Sequence, residues 1–256
     1  MSFSLEGRVA VVFGVANKRS IAWSIAQSLH QAGAKLLVAY QNERLGQEAR
    51  DLILSLPGAQ ALRCDLSCDA EIESLFQQIK SEHPRLHVIV HSVAFAPAEE
   101  LKGDFVNTTR EGFRIAHDVS VYSLIALARA AAPLLEPGAS IITMSYYGAQ
   151  KVVPHYNVMG VAKAALECTV RYLAHDLGRR QIRVNAISAG PVKTLAARAI
   201  SGLGEMMKTQ VERSPLQRNI EVSEVGSTSV FLASDASSGI TGETIYVDCG
   251  YNIMGF

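Results

Sequence analysis

The stretch Arg8-Val9-Ala10-Val11-Val12-Phe13-Gly14, continued by Val15-Ala16-Asn17-Lys18-Arg19-Ser20-Ile21-Ala22, decides the fold. Val9 to Phe13 are all apolar, so the strand they form has no solvent face; such strands belong to parallel sheets covered by helices on both sides. The apolar run stops at Gly14. Helical periodicity begins near Ser20 and reaches Ala32, with Gly33 placed as a left-handed terminator. Working outward, six more short runs have the same character: KLLVAY from Lys35, AQALRC from Ala59, LHVIVHS from Leu86, ASIITMS from Ala139, IRVNAIS from Ile182 and TIYVD from Thr244. Helical patterns lie between them, over about Glu43–Leu56 (stopped by Pro57 and Gly58), from Asp69 as N-cap to before Pro84, over Arg110–Ala132, over His155–Leu177 (closed by Gly178) and over Ser223–Ala233. This alternation with right-handed crossovers predicts an α/β fold: a doubly wound, seven-stranded parallel sheet with helices on both faces, one domain over residues 1–256.

Composition agrees. A chain of 256 residues with 48% hydrophobic and 19% charged residues reads as globular. Such a globule buries roughly 75% of its unfolded surface and needs no staple. Lys plus Arg and Asp plus Glu both number 24, giving a formal net charge of zero. That balance argues against nucleic acid or an anionic membrane as the main partner, since both favour excess cations. Cys64, Cys68, Cys168 and Cys249 form no CxxC pair and no zinc set, so they read as free, buried or partly buried thiols, and no metal is expected. The N-terminus lacks a signal-peptide pattern, and Val121–Leu135 is interrupted by Arg129 and too short to span a bilayer; the expected location is the cytoplasm.

Two segments break the alternation, Val93–Asn107 and Gly190 to about Arg213. Both follow strand C-termini, where open α/β sheets bind ligands. The first β–α turn is not a GxGxxG: only Gly14 remains, with small Ser20 and Ala22 later in the turn. It either forms an ordinary loop or sets a pyrophosphate on the helix N-terminus. The second strand ends in Tyr40-Gln41-Asn42-Glu43. Gln41 can bind a ribose hydroxyl and Glu43 repels a phosphate, which favours NADH; Arg44 leaves NADPH open. Asp65, after the third strand, either accepts from an adenine amino group or simply starts a turn.

Tyr156 and Lys163 stand seven apart on a predicted helix. Seven residues turn about 700°, two turns less ~20°, so both side chains share one face. A nearby ammonium strengthens a phenol as a donor. The pair is either a solvated stripe or a catalytic couple, and its place after the fifth strand, on the cofactor side, favours the second. Tyr146 and Tyr147, just past that strand, are either an aromatic plug or site residues.

The runs Ser145-Tyr146, Pro154-His155-Tyr156-Asn157-Val158-Met159-Gly160 with Lys163, and Arg183-Val184-Asn185-Ala186-Ile187-Ser188-Ala189-Gly190-Pro191 resemble the enoyl-acyl-carrier-protein reductase branch of the short-chain dehydrogenase/reductase superfamily. Further matching segments include Tyr40-Gln41-Asn42, His91 to Pro97, Thr109 to Phe113, Thr194-Leu195-Ala196 and Ile240 to Glu243, and the resemblance spans nearly the whole chain. It implies a Rossmann-type fold, a cytoplasmic homotetramer, and hydride transfer from NADH to the double bond of a trans-2-enoyl thioester carried by acyl-carrier protein, in fatty-acid elongation. Tyr156 is then the donor to the developing enolate oxygen, Lys163 holds the nicotinamide ribose, and Tyr146 lines the site. Gly14, Ser20, Ile21, Gln41, Asp65, Leu66, Val93, Val192, Lys193, Thr194, Leu195 and Ala196 carry over as cofactor contacts; Ala96, Leu203 and Met206 join both tyrosines as substrate contacts. Residues 193–213 resemble the substrate-binding lid, with Gly202 and Gly204 as hinges; the same spacing also suits an amphipathic helix packed on the core.

The chain departs from the family's pattern at Ala94 and Cys249, each replacing a glycine, and at Leu203, replacing an aromatic. A 3-ketoacyl-thioester or general carbonyl reductase calls for a Tyr–Lys spacing of four, where this chain has Gly160. A non-catalytic dinucleotide sensor on the same fold is the other competing reading.

Overall fold

The computed structural model describes residues 3–194 and 202–255. Its sheet contains β1 (Val9–Phe13), β2 (Lys35–Tyr40), β3 (Gln60–Arg63), β4 (Leu86–His91), β5 (Leu135–Ser145), β6 (Arg183–Ala189) and β7 (Thr244–Val247). All neighbours are parallel, in the order β3-β2-β1-β4-β5-β6-β7. The strand order reverses between β1 and β4, and the crevice at their C-terminal ends is the ligand position of this topology.

The connecting helices are α1 (Ile21–Gln31), α2 (Glu43–Ile53), α3 (Asp69–Glu82), α4 (Arg110–His117), α5 (Ser123–Ala131), α6 (Asn157–Gly178), α7 (Leu203–Arg213) and α8 (Val222–Ala233). Two apolar cores cover the sheet. One joins Val11, Leu37, Ile89 and Ile141 to α3, α5 and α6; the other joins Ala10, Val12, Leu36 and Val88 to α1, α2 and α8. Adjacent strand residues therefore feed opposite cores, which is why the strands read as unbroken apolar runs. Gly33 adopts φ +100 and its amide bonds the His30 carbonyl, closing α1 as the sequence predicts.

Several boundaries differ. β5 begins at Leu135, so Pro137 and Gly138 lie within a strand and not past a helix; the register shift between Leu86 and Val88 accommodates them. The N-cap of α3 is Cys68, not Asp69. Asp69 is the first helical residue, and its carboxylate accepts from Arg129 at 2.9 Å and Tyr122 at 3.1 Å. The chain turns left-handed at Gln181 and not at Gly178. α6 begins at Asn157, because His155 (φ +64) and Asn157 (φ +40) both take left-handed conformations around Tyr156. Cys249 is also left-handed (φ +59), the conformation for which glycine is suited at that position.

The predicted helix from Arg110 to Ala132 is not uniform. Between α4 and α5 it passes through a π turn over Asp118–Tyr122. Arg110–Leu134 is a 25-residue run, longer than the segment the sequence pattern singles out and long enough to cross a bilayer, whose most apolar 18-residue window has a mean hydropathy of 1.2; half of that window is buried inside this fold, and the run packs against α3 and α6. Its apolarity serves the core. The four cysteines are free, Cys64 and Cys249 buried, Cys68 and Cys168 half-buried. Among the described residues no three His, Cys, Asp or Glu side chains gather around a metal position.

Candidate active site

The crevice is built from the β1–α1 turn, the loop after β4, the β5–α6 connection and the segment after β6. Gly14 has φ +98, and a Cβ there would sit 2.0 Å from the Ser92 carbonyl oxygen. Only glycine lets the first turn lie flat on the loop after β4. Ser20, the N-cap of α1, makes no side-chain bond to the helix amides, and the first turn holds no acidic residue. Those amides stay available to an anion, and their placement beside a backbone-only turn suits a diphosphate.

Gln41, at the end of β2, donates through Nε2 to Asp65 Oδ2 at 3.2 Å, at the end of β3. Partial burial pushes the Asp65 carboxyl up. Hydrogen bonds from the Ser67 amide and hydroxyl and from Gln41 outweigh it and hold the group below its usual value. The pair presents one amide and one carboxylate where the fold places an adenosine. Leu66 is buried in the same core cluster as Leu62, Cys64 and Ile72. Val93 is half-buried against the core, Ala94 exposed and Ala96 half-buried. Ala94 is not left-handed, so the backbone accommodates its methyl.

Tyr146 and Tyr156 meet in a small apolar cluster with Leu101, Ala116, Val158, Met159 and Ala96. Their ring centroids are 5.0 Å apart and their planes 76° apart. Burial raises both phenols: Tyr146 to about 12, with Tyr251 adding, and Tyr156 further, with Tyr146 adding. Both are neutral donors across the physiological range. Tyr156 precedes α6 and does not belong to it, so helical phase alone does not align it with Lys163; the left-handed residues on either side turn its ring inward. Gly148 and Gly160 make room, since a Cβ at Gly148 would lie 2.6 Å from the Tyr156 ring.

Lys163 is buried on α6, and its Nζ donates to the Met144 carbonyl at 2.7 Å. Burial pulls it down from 10.5 to about 8, and Glu167 opposes the pull. Neither Met144 nor Glu167 was expected: a backbone acceptor leaves no mark in sequence, whereas Glu167, four residues after Lys163, is readable as a same-face partner.

His91, at the end of β4, is fully buried between Thr143 (Nδ1 to Oγ1, 2.8 Å) and Ser123 (Nε2 to Oγ, 2.8 Å). Each hydroxyl also has a main-chain acceptor, Ser123 donating to the Val119 carbonyl at 2.7 Å and Thr143 to the His91 carbonyl at 3.1 Å. Burial, then the charge of Lys163, hold the imidazole down at about 3, hence neutral. The π turn also places Ser120 where its Oγ accepts from the Phe95 amide at 3.1 Å, pinning the loop that carries Ala94 and Ala96.

Past β6, Val192 is buried, Lys193 exposed and Thr194 half-buried, its amide bonded to the Val192 carbonyl. Leu195 and Ala196 lie outside the described residues, as do Ala199, Ile200 and the side chain of Leu203. Gly202 is left-handed ahead of α7, on which Met206 is half-buried. Gln210 ties α7 to the core by donating to the Asp248 carbonyl at 2.8 Å.

Comparison with known proteins agrees with this geometry. The sequence model of the Enoyl-(Acyl carrier protein) reductase family matches residues 14–252. The chain is 52% identical over 255 residues to the NADH enoyl-acyl-carrier-protein reductase FabI of Bacillus subtilis, covering 99% of each. Among solved structures, the enoyl-acyl-carrier-protein reductase (NADH) of Aquifex aeolicus superposes with a TM-score of 0.95 at 50% identity, covering 98% of this chain and 99% of that one. The Bacillus cereus enoyl-acyl-carrier-protein reductase, solved with NADP+ and an indole naphthyridinone, superposes with a TM-score of 0.97 at 49% identity over the full length of both. With the family model matched over most of the chain and relatives of about 50% identity covered over nearly their whole length, this chain belongs to the enoyl-acyl-carrier-protein reductase family.

Proposed function

We propose that this chain is the NADH-dependent enoyl-acyl-carrier-protein reductase of fatty-acid elongation, with Tyr156, Tyr146 and Lys163 as its working groups. The observation that carries the assignment of roles is the edge contact between half-buried Tyr146 and buried Tyr156 just past the strand end to which the buried Lys163 is tied through the Met144 carbonyl. When bound, NADH supplies the hydride that reduces the double bond. The protein's part is to receive the charge that then develops on the thioester oxygen. Tyr156, a neutral phenol in a water-poor apolar cluster, donates to that oxygen; a preorganised donor in such a place is worth far more than in water. Tyr146, packed edge-on, fixes the Tyr156 ring and closes the acyl side of the site together with Ala96. Lys163 supplies positive field and donors for ribose hydroxyls.

Gly14, Ser20 and Ile21 cradle the diphosphate, and Gln41 and Asp65 take the adenosine. Val93 and Val192 to Ala196 flank the nicotinamide. Gln41 presents an amide and no cation, which supports NADH over NADPH. Residues 193–213 act as the lid over the acyl chain, with Leu203 and Met206 toward it. The exposed apolar side chains Phe113, Tyr122 and Ile125 line an open groove of about 610 Å³ along α4 and α5, which supports assembly as a homotetramer in the cytoplasm.

The test is an absorbance assay of NADH loss with a trans-2-enoyl thioester, run beside NADPH and a 3-ketoacyl thioester. Enoyl-dependent turnover with NADH that disappears in Tyr156→Phe or Lys163→Met supports the reading. Turnover with the 3-ketoacyl substrate alone shifts it to the carbonyl reductases, and NADH binding without turnover shifts it to a sensor. Sedimentation velocity reads the assembly.

A further inference from the structure

Ser145 is the last residue of β5, and Tyr146 departs from it. Its Oγ donates to Glu167 Oε1 at 2.6 Å, and both side chains are buried. One residue earlier, the Met144 carbonyl accepts from Lys163 Nζ. Lys163 and Glu167 are four apart on α6, so they occupy one face, a turn from each other. Two parallel ties therefore run from the end of β5 to α6, one ending in a cation and the other in an anion. Among the described residues the Glu167 carboxylate contacts a hydroxyl and not a cation. A buried carboxylate so placed is costly unless an opposite charge shares its surroundings.

The charged and titratable groups facing this region are few. His91 comes from β4 and is neutral; Tyr246 comes from β7, and its phenol is raised by burial first and then by the charge of Glu167; α6 contributes Lys163 and Glu167 themselves. Among the described residues, Lys163 is the cation that Glu167 acts on, and Asp248, just past β7, is a second carboxylate acting on Tyr246 beside Glu167.

We propose that Glu167 is a positioning residue for the reaction: its buried carboxylate, anchored by Ser145 one turn from Lys163, keeps that lysine an ammonium in a site that strips it of water, and fixes the strand end that carries Tyr146. The inference rests on the role assigned to Lys163 above. It accounts for a carboxylate at a position where a neutral acceptor would satisfy Ser145 equally well.

The experiment exploits that difference. Glu167→Gln keeps an acceptor for Ser145 and removes only the charge; Glu167→Leu, an apolar filler, is a second neutral variant that does not depend on the Ser145 bond. Ser145→Ala removes the tie and keeps the charge. NADH affinity is measured by cofactor fluorescence over the alkaline range, beside kcat/KM for an enoyl thioester. In the unsubstituted protein, affinity is expected to fall as pH rises through about 8, the value to which burial lowers Lys163. Both neutral variants are expected to move that fall to lower pH by about one unit, since removing an opposite charge disfavours the ammonium. Glu167→Asp and Ser145→Ala are expected to leave it near its original place. An unchanged midpoint in a folded neutral variant overturns the role of Glu167 alone. A Lys163→Met protein that binds NADH normally, with no alkaline fall, overturns instead the role of the lysine on which the inference rests.

Discussion

The rings of Tyr146 and Tyr156 stand edge to face, 5.0 Å between centroids, on either side of the turn that joins β5 to α6. The contact couples the two residues proposed to face the reacting atoms. Tyr156→Phe is expected to lower kcat/KM by about 10²- to 10³-fold, the loss typical of one preorganised donor to a developing oxyanion. Tyr146→Phe keeps the ring contact and is expected to cost less. Tyr146→Ala frees the Tyr156 ring, so a cycle of the Ala and Phe variants should be non-additive. NADH affinity, measured alongside, should stay within a few-fold of the original in both Phe variants; a collapse in binding would move Tyr156 from chemistry to cofactor retention.

His91 makes stability pH-dependent. Its folded pKa of about 3 lies below the ordinary 6.5, so the unfolded chain binds the proton first. The contribution is present in full above about 6.5 and is lost as pH falls toward 3, at up to about 1.4 kcal/mol per pH unit. His83 and His87 are lowered too, burial being the main cause in each, and act in the same direction. Melting temperatures between mild acid and neutrality should therefore fall with pH, and His91→Gln should flatten that slope. An unaltered slope in the variant would mean that the buried imidazole is not the group titrating.

Two glycines with positive φ separate conformational strain from collision. Gly14→Ala would place a methyl against the Ser92 carbonyl, whereas a Cβ at Gly7 (φ +77) meets nothing within 4 Å. Gly7→Ala should cost about 1–2 kcal/mol, the left-handed penalty alone. Gly14→Ala should cost more in urea unfolding and should also weaken NADH binding at least about tenfold, because the β1–α1 turn and the loop after β4 cannot both keep their places. Equal losses for the two would show that the turn yields easily.

Cofactor choice is testable at Gln41. Gln41→Arg gives the end of β2 the cation it lacks and breaks the bond to Asp65. The ratio of kcat/KM for NADPH to that for NADH should rise about tenfold or more. No change would locate phosphate discrimination elsewhere, with Arg44 the next residue to replace.

Much of this molecule is readable from its sequence, and the exceptions have physical causes. The sheet was legible because each strand feeds two cores and so carries unbroken apolar runs such as Val9 to Phe13. Gly33 was legible because its position asks for a particular residue type, whereas the one-face alignment expected of Tyr156 and Lys163 failed because Tyr156 lies outside α6. The start of α6 was not legible: His155 and Asn157 are of types that tolerate a left-handed backbone, but nothing in the local pattern requires one at either position. Asp69 looks like an N-cap, yet its carboxylate serves Arg129 and Tyr122 from another helix, a long-range pairing that no local pattern contains. The partners of Lys163 and His91 were hidden for a related reason, since a main-chain carbonyl and two ordinary hydroxyls become specific only once the strands are in register.

The π turn over Asp118–Tyr122 works as a phase adjuster. A π turn holds one residue more than an α turn, so it rotates everything after it by about 100° relative to an unbroken helix. With that rotation, Ser120 and Ser123 both face inward, one to the loop bearing Ala96 and the other to His91. Deleting any single residue between 118 and 122 would restore a regular helix and swing one of these hydroxyls away, while insertions elsewhere in the run would be absorbed at its ends. The segment is therefore the place in this chain where length matters more than identity.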